Sequence, residues 1–275
     1  MPCAAPKSIN SNVIKNGFLE MSEIHEIVKR QFDKQAQNFS NWSVTKNIEY
    51  QKAYFDFCEI SSQDTLLDFA CGTGEYAVYA AAIVKYVHGV DISKGMIEVA
   101  QKQANKENVY NISFLCHPVE QTPFEDESFS IVICRSAFHH FEEYDKIFNE
   151  MTRCCQNGGR ISIQDIVAYS DEKIDSFFEE FERAVDVSHH KTLTKEYIKS
   201  LYDQRNIKIK NTFKIEIELH FQEYLGHAQQ SEESKIKISN LLEIALNDPD
   251  LSNYFIIKGQ DLFFKREVFL ILGEK

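Results

Sequence analysis

A short apolar run, Thr65-Leu66-Leu67-Asp68-Phe69, stops at the turn Ala70-Cys71-Gly72-Thr73-Gly74, and a helical pattern follows over 75–84. A glycine-rich turn between a strand and its helix lets a ligand approach the backbone closely and presents helix N-terminal amides to it. The unit then repeats in kind. Tyr86–Asp91 predicts a second strand that ends in an acid, and Ser93 caps a helix over 94–108. Ile112–Leu115 and Phe129–Cys134 predict a third and a fourth strand. A helix over Tyr144–Cys154, the turn Asn157-Gly158-Gly159 and a fifth strand over Arg160–Val167 complete the series. Strands alternating with helices predict an α/β, doubly wound, mostly parallel sheet with helices on both faces.

The flanks differ in character. Residues 1–20 read as a flexible leader, with Pro2, Pro6, Ser8 and Asn10. Residues 21–60 read as an N-terminal helical clamp. There Ile24, Ile27, Val28 and Phe32 fall at helical spacing, 31–44 breaks into a polar-aromatic segment, and a second helix covers 45–60. Residues 61–170 form the core. Helices over 171–187, 194–205 and 231–247 belong to a lid spanning 171–210 and 222–262. Residues 211–221 alternate Phe213, Ile215, Ile217 and Leu219 with Lys214, Glu216, Glu218 and His220, which predicts a half-exposed strand. Arg266–Leu272 predicts the closing strand. One domain over 21–275 accounts for the whole pattern.

Charge excludes one class of partner. The chain carries 30 Lys+Arg against 42 Asp+Glu, a net charge of -12, with no basic run. Nucleic-acid binders neutralise phosphates with a basic face, so nucleic acid is not the expected substrate. Seven cysteines lie scattered without metal-ligand spacing, and no metal site is expected. Their odd number reads as reduced thiols in the cytoplasm. No window approaches the roughly 18 consecutive apolar residues of a membrane span. The expected assembly is a monomer or a homodimer.

Two ligands compete for the glycine turn. Gly72-Thr73-Gly74-Glu75-Tyr76-Ala77 fits the dinucleotide fingerprint, with Asp91 near the distance of a ribose-binding acid. Asp68 decides between them. A pyrophosphate at this turn would meet the Asp68 carboxylate, with Glu75 behind it, at a Coulombic cost. A positively charged nucleoside, bearing an amino group and a sulfonium, would gain from Asp68.

Leu66-Leu67-Asp68-Phe69-Ala70-Cys71-Gly72-Thr73-Gly74 resembles motif I of the class I S-adenosylmethionine-dependent methyltransferases. Gly89-Val90-Asp91-Ile92-Ser93-Lys94-Gly95-Met96 is similar to their second motif. Glu120-Gln121-Thr122-Pro123-Phe124 with Glu127-Ser128-Phe129 resembles the loop and strand that follow. Cys134-Arg135-Ser136-Ala137-Phe138-His139-His140-Phe141 resembles the segment after strand four in the ubiquinone/menaquinone-biosynthesis type and related small-molecule enzymes. The resemblance covers about 30–275. It implies a seven-stranded sheet with the last strand antiparallel, and methyl transfer from S-adenosylmethionine to a carbon, oxygen or nitrogen of a small molecule. The same fold also supports a non-methylating reaction such as a cyclisation. A nicotinamide-dependent oxidoreductase is the remaining alternative.

The resemblance also implies site residues. Asp68, Ala70, Gly72 and Gly74 would hold the methionine end, with Ala70 standing where the family usually has glycine. Asp91 would take the ribose hydroxyls, with Ile92 and Met96 against the adenine. His117 stands in place of the usual adenine-binding acid, and Val119 lies beside the base. Arg135 would meet the methionine carboxylate or the acceptor. Phe39 and Trp42 sit in the clamp, and Phe177 and His189 in the lid. For His139 and His140 two readings stand: a base or acceptor-positioning group, or a helix cap packed beneath the lid.

Overall fold

A computed structural model describes residues 23–275. The expected leader over 1–20, and the first residues of the clamp, lie outside them. Numbered in chain order, the elements are α1 (Glu23–Phe39), α2 (Ile48–Phe57), β1 (Thr65–Phe69), α3 (Glu75–Ala81), β2 (Tyr86–Asp91), α4 (Lys94–Lys106), β3 (Ile112–Cys116) and β4 (Phe129–Arg135). Then come α5 (Tyr144–Cys154), β5 (Cys155–Ile166), α6 (Glu172–Val185), α7 (Lys195–Asp203), β6 (Lys208–His220), α8 (Phe221–His227), α9 (Glu232–Asn247), β7 (Phe255–Lys258) and β8 (Asp261–Glu274).

The strands form one sheet in the order β3-β2-β1-β4-β5-β8-β6, with β7 paired to β8. Neighbours from β3 to β5 are parallel, whereas β8 runs antiparallel to both β5 and β6. This is the expected α/β sheet with one addition. Phe255–Lys258 fell within the range assigned to lid helices, yet it forms a hairpin with β8 across the turn at Gly259, which adopts φ 66°. An apolar run of this length does not distinguish a helix from a strand, and only the tight turn after it does.

Alternation along the strands separates two cores. Leu66, Val87, Ile131 and Ile133 face one side with Tyr54, Phe55, Tyr76 and Ala80. Leu67, Val90, Val132 and Cys134 face the other with Ile147, Phe148, Met151 and Leu201. A third core belongs to the lid. Phe177, Phe178 and Phe181 of α6 pack there with Leu219, Phe221, Leu241 and Phe264. Buried aliphatic and aromatic side chains each contribute about 1.5–3 kcal/mol, so the lid is a packed layer and not a loose appendage.

Side-chain caps place the helix starts. Asn47 accepts from the Glu49 and Tyr50 amides, Ser93 from Met96, Asp171 from Lys173 and Ile174, Thr194 from Tyr197 and Ser231 from Ser234. The predicted break over 31–44 is shorter than expected. Helix α1 continues to Phe39, and only the turn around Trp42 is irregular. Its polar positions misled the reading because Gln31 and Gln35 are buried and hydrogen-bonded instead of solvated. Among the described residues, no helix is long and apolar enough to cross a membrane.

Candidate active site

The C-terminal ends of β1, β2 and β4 open into a cavity of about 520 Å³, roofed by α1, the segment around Trp42, and the lid. Crevices at this edge of a doubly wound sheet are where ligands bind. Asp68, Ala70, Gly72, Asp91, Ile92, Met96, Val119 and Arg135 all line it.

At β1 the backbone itself is shaped for close approach. Gly72 lies at φ 54°, and a Cβ built there meets nothing within 4 Å, because it would project into open space. Ala70 also lies at φ 54°, and Ser136, where the chain leaves β4, at φ 47°. An L-residue in this region costs about 1–2 kcal/mol. Such strain gathers at functional sites, where the surroundings over-determine the conformation. Ala70 is thus held in the conformation that glycine would adopt freely.

Asp91 ties this turn to β2. Its Oδ2 accepts the Gly72 amide at 2.9 Å and its Oδ1 accepts the Ser93 amide at 2.8 Å. Burial nevertheless raises its pKa to about 6, against the lowering effect of those two amides, and nearby Asp33 pushes the same way. Asp68, only 3% exposed, is pushed up to about 7. Burial is the main cause; Arg135 opposes it, while Asp91 and Glu75 add to it. Glu75 Oε2 accepts from the Thr73 hydroxyl at 2.6 Å, and its buried Oε1 has no hydrogen-bond partner. The cradle is therefore rich in acid. Arg135 is its counterweight, with its guanidinium 3.2 Å from the centroid of the Tyr76 ring and Nε 3.3 Å from Gln164 Oε1.

Three predicted site residues fall outside the cavity wall. A Cβ on Gly74 (φ 81°) would meet the Ala100 Cβ at 2.8 Å and the Phe114 ring at 3.1 Å, so this glycine lets α3 and α4 pack at the sheet edge. The ring of His117 turns back, with Nδ1 2.8 Å from the Pro118 carbonyl, and the adjacent acid Glu120 lines the cavity instead. Phe177 lies in the lid core, where the helical stripe it shares with Phe178 and Phe181 is packing. The helical spacing of those rings fits either role, and only the docking of α6 decides.

The clamp is laced down by side chains that carry no motif signal. Asp33 Oδ1 of α1 accepts from the Ser93 hydroxyl at 2.7 Å and from the Gly95 amide at 2.8 Å, at the N-terminus of α4. An acid at that end of a helix is stabilised by the helix dipole. His25 Nε2 lies 2.8 Å from Glu120 Oε1. Gln31 donates to the Ala228 carbonyl at 2.7 Å, joining the clamp to the lid. Phe39 and Trp42 line the cavity, and the Trp42 indole stacks on His227 at 4.8 Å.

His139 and His140 also line the cavity, in a single 3-10 turn after β4. His139 Nδ1 lies 2.6 Å from Asp165 Oδ1. A carboxylate only accepts, so Nδ1 carries the proton and Nε2 is the nitrogen left free of Asp165. Asp165 is itself fixed by the amides of Ala137, Phe138 and Ile166. Burial would lower the His139 pKa, but the Asp165 carboxylate outweighs it and the net shift is upward. His140 behaves oppositely. Its Nδ1 donates to the Ser188 carbonyl at 3.0 Å, and burial next to His139 lowers its pKa to about 3, so it stays neutral. Asp186 holds the turn that supplies this carbonyl, through the Ser188 amide and hydroxyl. His189 stacks near His139 with ring centroids 5.6 Å apart, its Nε2 3.3 Å from Glu179. Among the described residues, no group of three or more His, Cys, Asp or Glu could hold a metal ion, and the cysteines are free.

Sequence reasoning missed a further set on the lid side. Arg266 of β8, Glu182 of α6, and Tyr224 and His227 of α8 all line the same cavity. Only Tyr224 and His227 share an element, the other two lie far from them in sequence, and none sits in a recognisable motif.

Comparison with known proteins agrees with this geometry. Residues 67–163 match the family described as a methyltransferase domain. The chain is 32% identical over 158 residues to YcgJ of Bacillus subtilis, described as an uncharacterized methyltransferase; the match covers 58% of this chain and 62% of that relative. The crystal structure of YcgJ superposes with a TM-score of 0.75 at 24% identity, over 82% of this chain and 97% of that one. A phosphoethanolamine N-methyltransferase from Haemonchus contortus, solved with S-adenosylhomocysteine, superposes with a TM-score of 0.65 at 18% identity, over 94% of this chain and 61% of that one.

Proposed function

We propose that this chain, which matches a methyltransferase domain over residues 67–163 and shares its fold with YcgJ, is a class I methyltransferase that transfers the methyl group of S-adenosylmethionine to a small-molecule acceptor. The observation that carries this reading is the cradle at the β1 edge. Its open Gly72 backbone lies among the buried acids Asp68, Glu75 and Asp91, which suits a cationic nucleoside and opposes a diphosphate.

The residues fit this donor by their chemistry. Asp91 keeps lone pairs free beyond its two backbone partners and would accept the ribose hydroxyls. Ile92, Met96 and Val119 would sandwich the adenine. Ala70 and Gly72 would receive the methionine backbone, with Asp68 for its amino group and Arg135 for its carboxylate. When bound, S-adenosylmethionine supplies an activated methyl group on a sulfonium, so the protein's share is alignment and a dry site.

The chain's own residues supply the rest. Phe32, Phe39, Trp42, Ile217 and Leu219 keep the cavity apolar and exclude water. Where the acceptor atom carries a proton, His139 Nε2 takes it, and Asp165 holds the imidazole in the competent tautomer and stabilises the cation that forms. Neutral His140 packs behind it and positions it. We read the site of action as cytoplasmic, in keeping with the free cysteines.

Calorimetry with S-adenosylhomocysteine and with NADH tests the donor. Binding of the first and not the second is expected, and the reverse result overturns the reading. Transfer of label from methyl-labelled S-adenosylmethionine into product separates methylation from a non-methylating reaction such as cyclisation.

A further inference from the structure

The acceptor end of the cavity holds a buried polar cluster that the donor reading leaves unexplained. Arg266 is 1% exposed, and its Nε and Nη1 have no hydrogen-bond partner. Glu182 Oε1 lies 3.3 Å from Arg266 Nε, a charge contact without hydrogen-bond geometry, and it too has no hydrogen-bond partner. The other carboxylate oxygen of Glu182 accepts the Tyr224 hydroxyl. The guanidinium is fixed between the rings of Phe178 and Tyr169, at 4.8 and 5.2 Å from their centroids. His227, which stacks on Trp42, has an unpartnered buried Nδ1.

Each unpaired buried polar group costs about 1–3 kcal/mol. A buried ion pair is in general no more stable than apolar side chains of the same size. Here Arg266 and Glu182, carried on different elements and left with three unpaired polar atoms between them, both line one cavity whose remaining walls include Ile217, Leu219 and Val268. Resting on the methyltransferase reading, we infer that Arg266 and Glu182 form the head-group subsite for the acceptor. The acceptor it fits is an apolar molecule whose polar end carries adjacent hydrogen-bonding oxygens. A carbonyl takes the Arg266 N–H groups, and a hydroxyl donates to Glu182 Oε1. The pair is electrically balanced, so the head is neutral. Its apolar body lies along the β6 and β8 side chains.

Three probes of one shape test this: 3-hydroxycoumarin, which has both groups, coumarin, which lacks the hydroxyl, and 3-methoxycoumarin, which cannot donate. Each is titrated calorimetrically into the full chain with and without S-adenosylhomocysteine. A site built to bond a hydroxyl rejects an analogue lacking it strongly, so 3-hydroxycoumarin should bind at least about tenfold tighter than the other two. The double variant R266M/E182M removes both charges together, which avoids leaving one buried alone. It should bind the three probes alike while keeping its affinity for S-adenosylhomocysteine. Equal binding of the probes to the native chain, no binding of 3-hydroxycoumarin, or discrimination that survives in a folded double variant would overturn the inference. Failure to bind S-adenosylhomocysteine would instead strike the methyltransferase reading, because the probe titrations are read independently of it.

Discussion

Replacing Asp91 by asparagine separates the two jobs assigned to this carboxylate. In the free protein Asp91 accepts one amide on each oxygen, from Gly72 at 2.9 Å and from Ser93 at 2.8 Å. Asparagine keeps one acceptor and turns an NH2 toward the other amide, so one charge-assisted bond is lost, worth about 1.5–3 kcal/mol. Because burial opposes the charge of Asp91, part of that loss is returned by removing a buried anion. The stability cost should therefore sit at the lower end, about 1.5 kcal/mol. That corresponds to a fall in Tm of about 3–6 °C for a domain of this size. Donor binding should suffer more. Loss of charge-assisted bonds to the ribose hydroxyls at about 1.5–3 kcal/mol weakens S-adenosylhomocysteine about 10- to 150-fold. Thermal melts report the first effect, and calorimetry well below the melting range reports the second. A variant with lowered Tm and affinity within about twofold of native would show that Asp91 only staples the turn, and the donor map would fail.

Donor affinity should also depend on pH. Asp68 and Asp91 titrate at about 7 and about 6 in the free protein, both raised by burial. A cation at Asp68, and hydroxyls donating to Asp91, favour the ionised forms, so binding releases protons. Affinity is then full at pH values above both and falls as pH drops through them. Between roughly pH 8 and pH 5 the loss reaches about 100-fold from Asp68 and about tenfold from Asp91; a flat calorimetric profile would contradict the arrangement. The two glycines of the turn should respond differently to alanine. Gly72→Ala has room for its Cβ and should cost only the left-handed backbone, about 1–2 kcal/mol, while weakening S-adenosylhomocysteine binding in calorimetry. Gly74→Ala would force its Cβ to 2.8 Å from Ala100 and should add an overpacking cost of about 1–3 kcal/mol, seen as a larger fall in Tm.

The β1 and β2 edge of the cavity was legible in the sequence because its physics is local. A strand that ends in Asp68, an open turn at Gly72, a second strand that ends in Asp91 and a Ser93 cap lie in short stretches, each with its own periodicity or cap signal. His117 and Gly74 show the limit of that reading. Both were named from their place in a motif, yet whether such a position faces the cavity is decided by what packs against it, Pro118 in one case and Ala100 with Phe114 in the other. Hydrogen-bonded amides such as Gln31 and Gln35 read as a polar break because sequence pattern does not distinguish a solvated amide from a buried and satisfied one. The Asp165 partner of His139 was hidden for the same reason: the two meet only because β4 and β5 are neighbours in register.

The polar cluster of Arg266, Glu182 and His227 could not be read from the sequence, and its construction explains why. Arg266, Glu182 and His227 come from β8, α6 and α8, and they converge only after the Phe177-Phe178-Phe181 stripe has docked α6 on the closing strands. The stripe is a packing device, and it carries Glu182 to the cavity one position beyond it. Substitutions that preserve this lid core can change the polar end of the cavity without touching Asp68, Gly72 or Asp91. Chains that share the donor cradle are thereby free to differ in the molecule they accept. The identity of that molecule is written in the lid's buried polar atoms, not in the glycine turn.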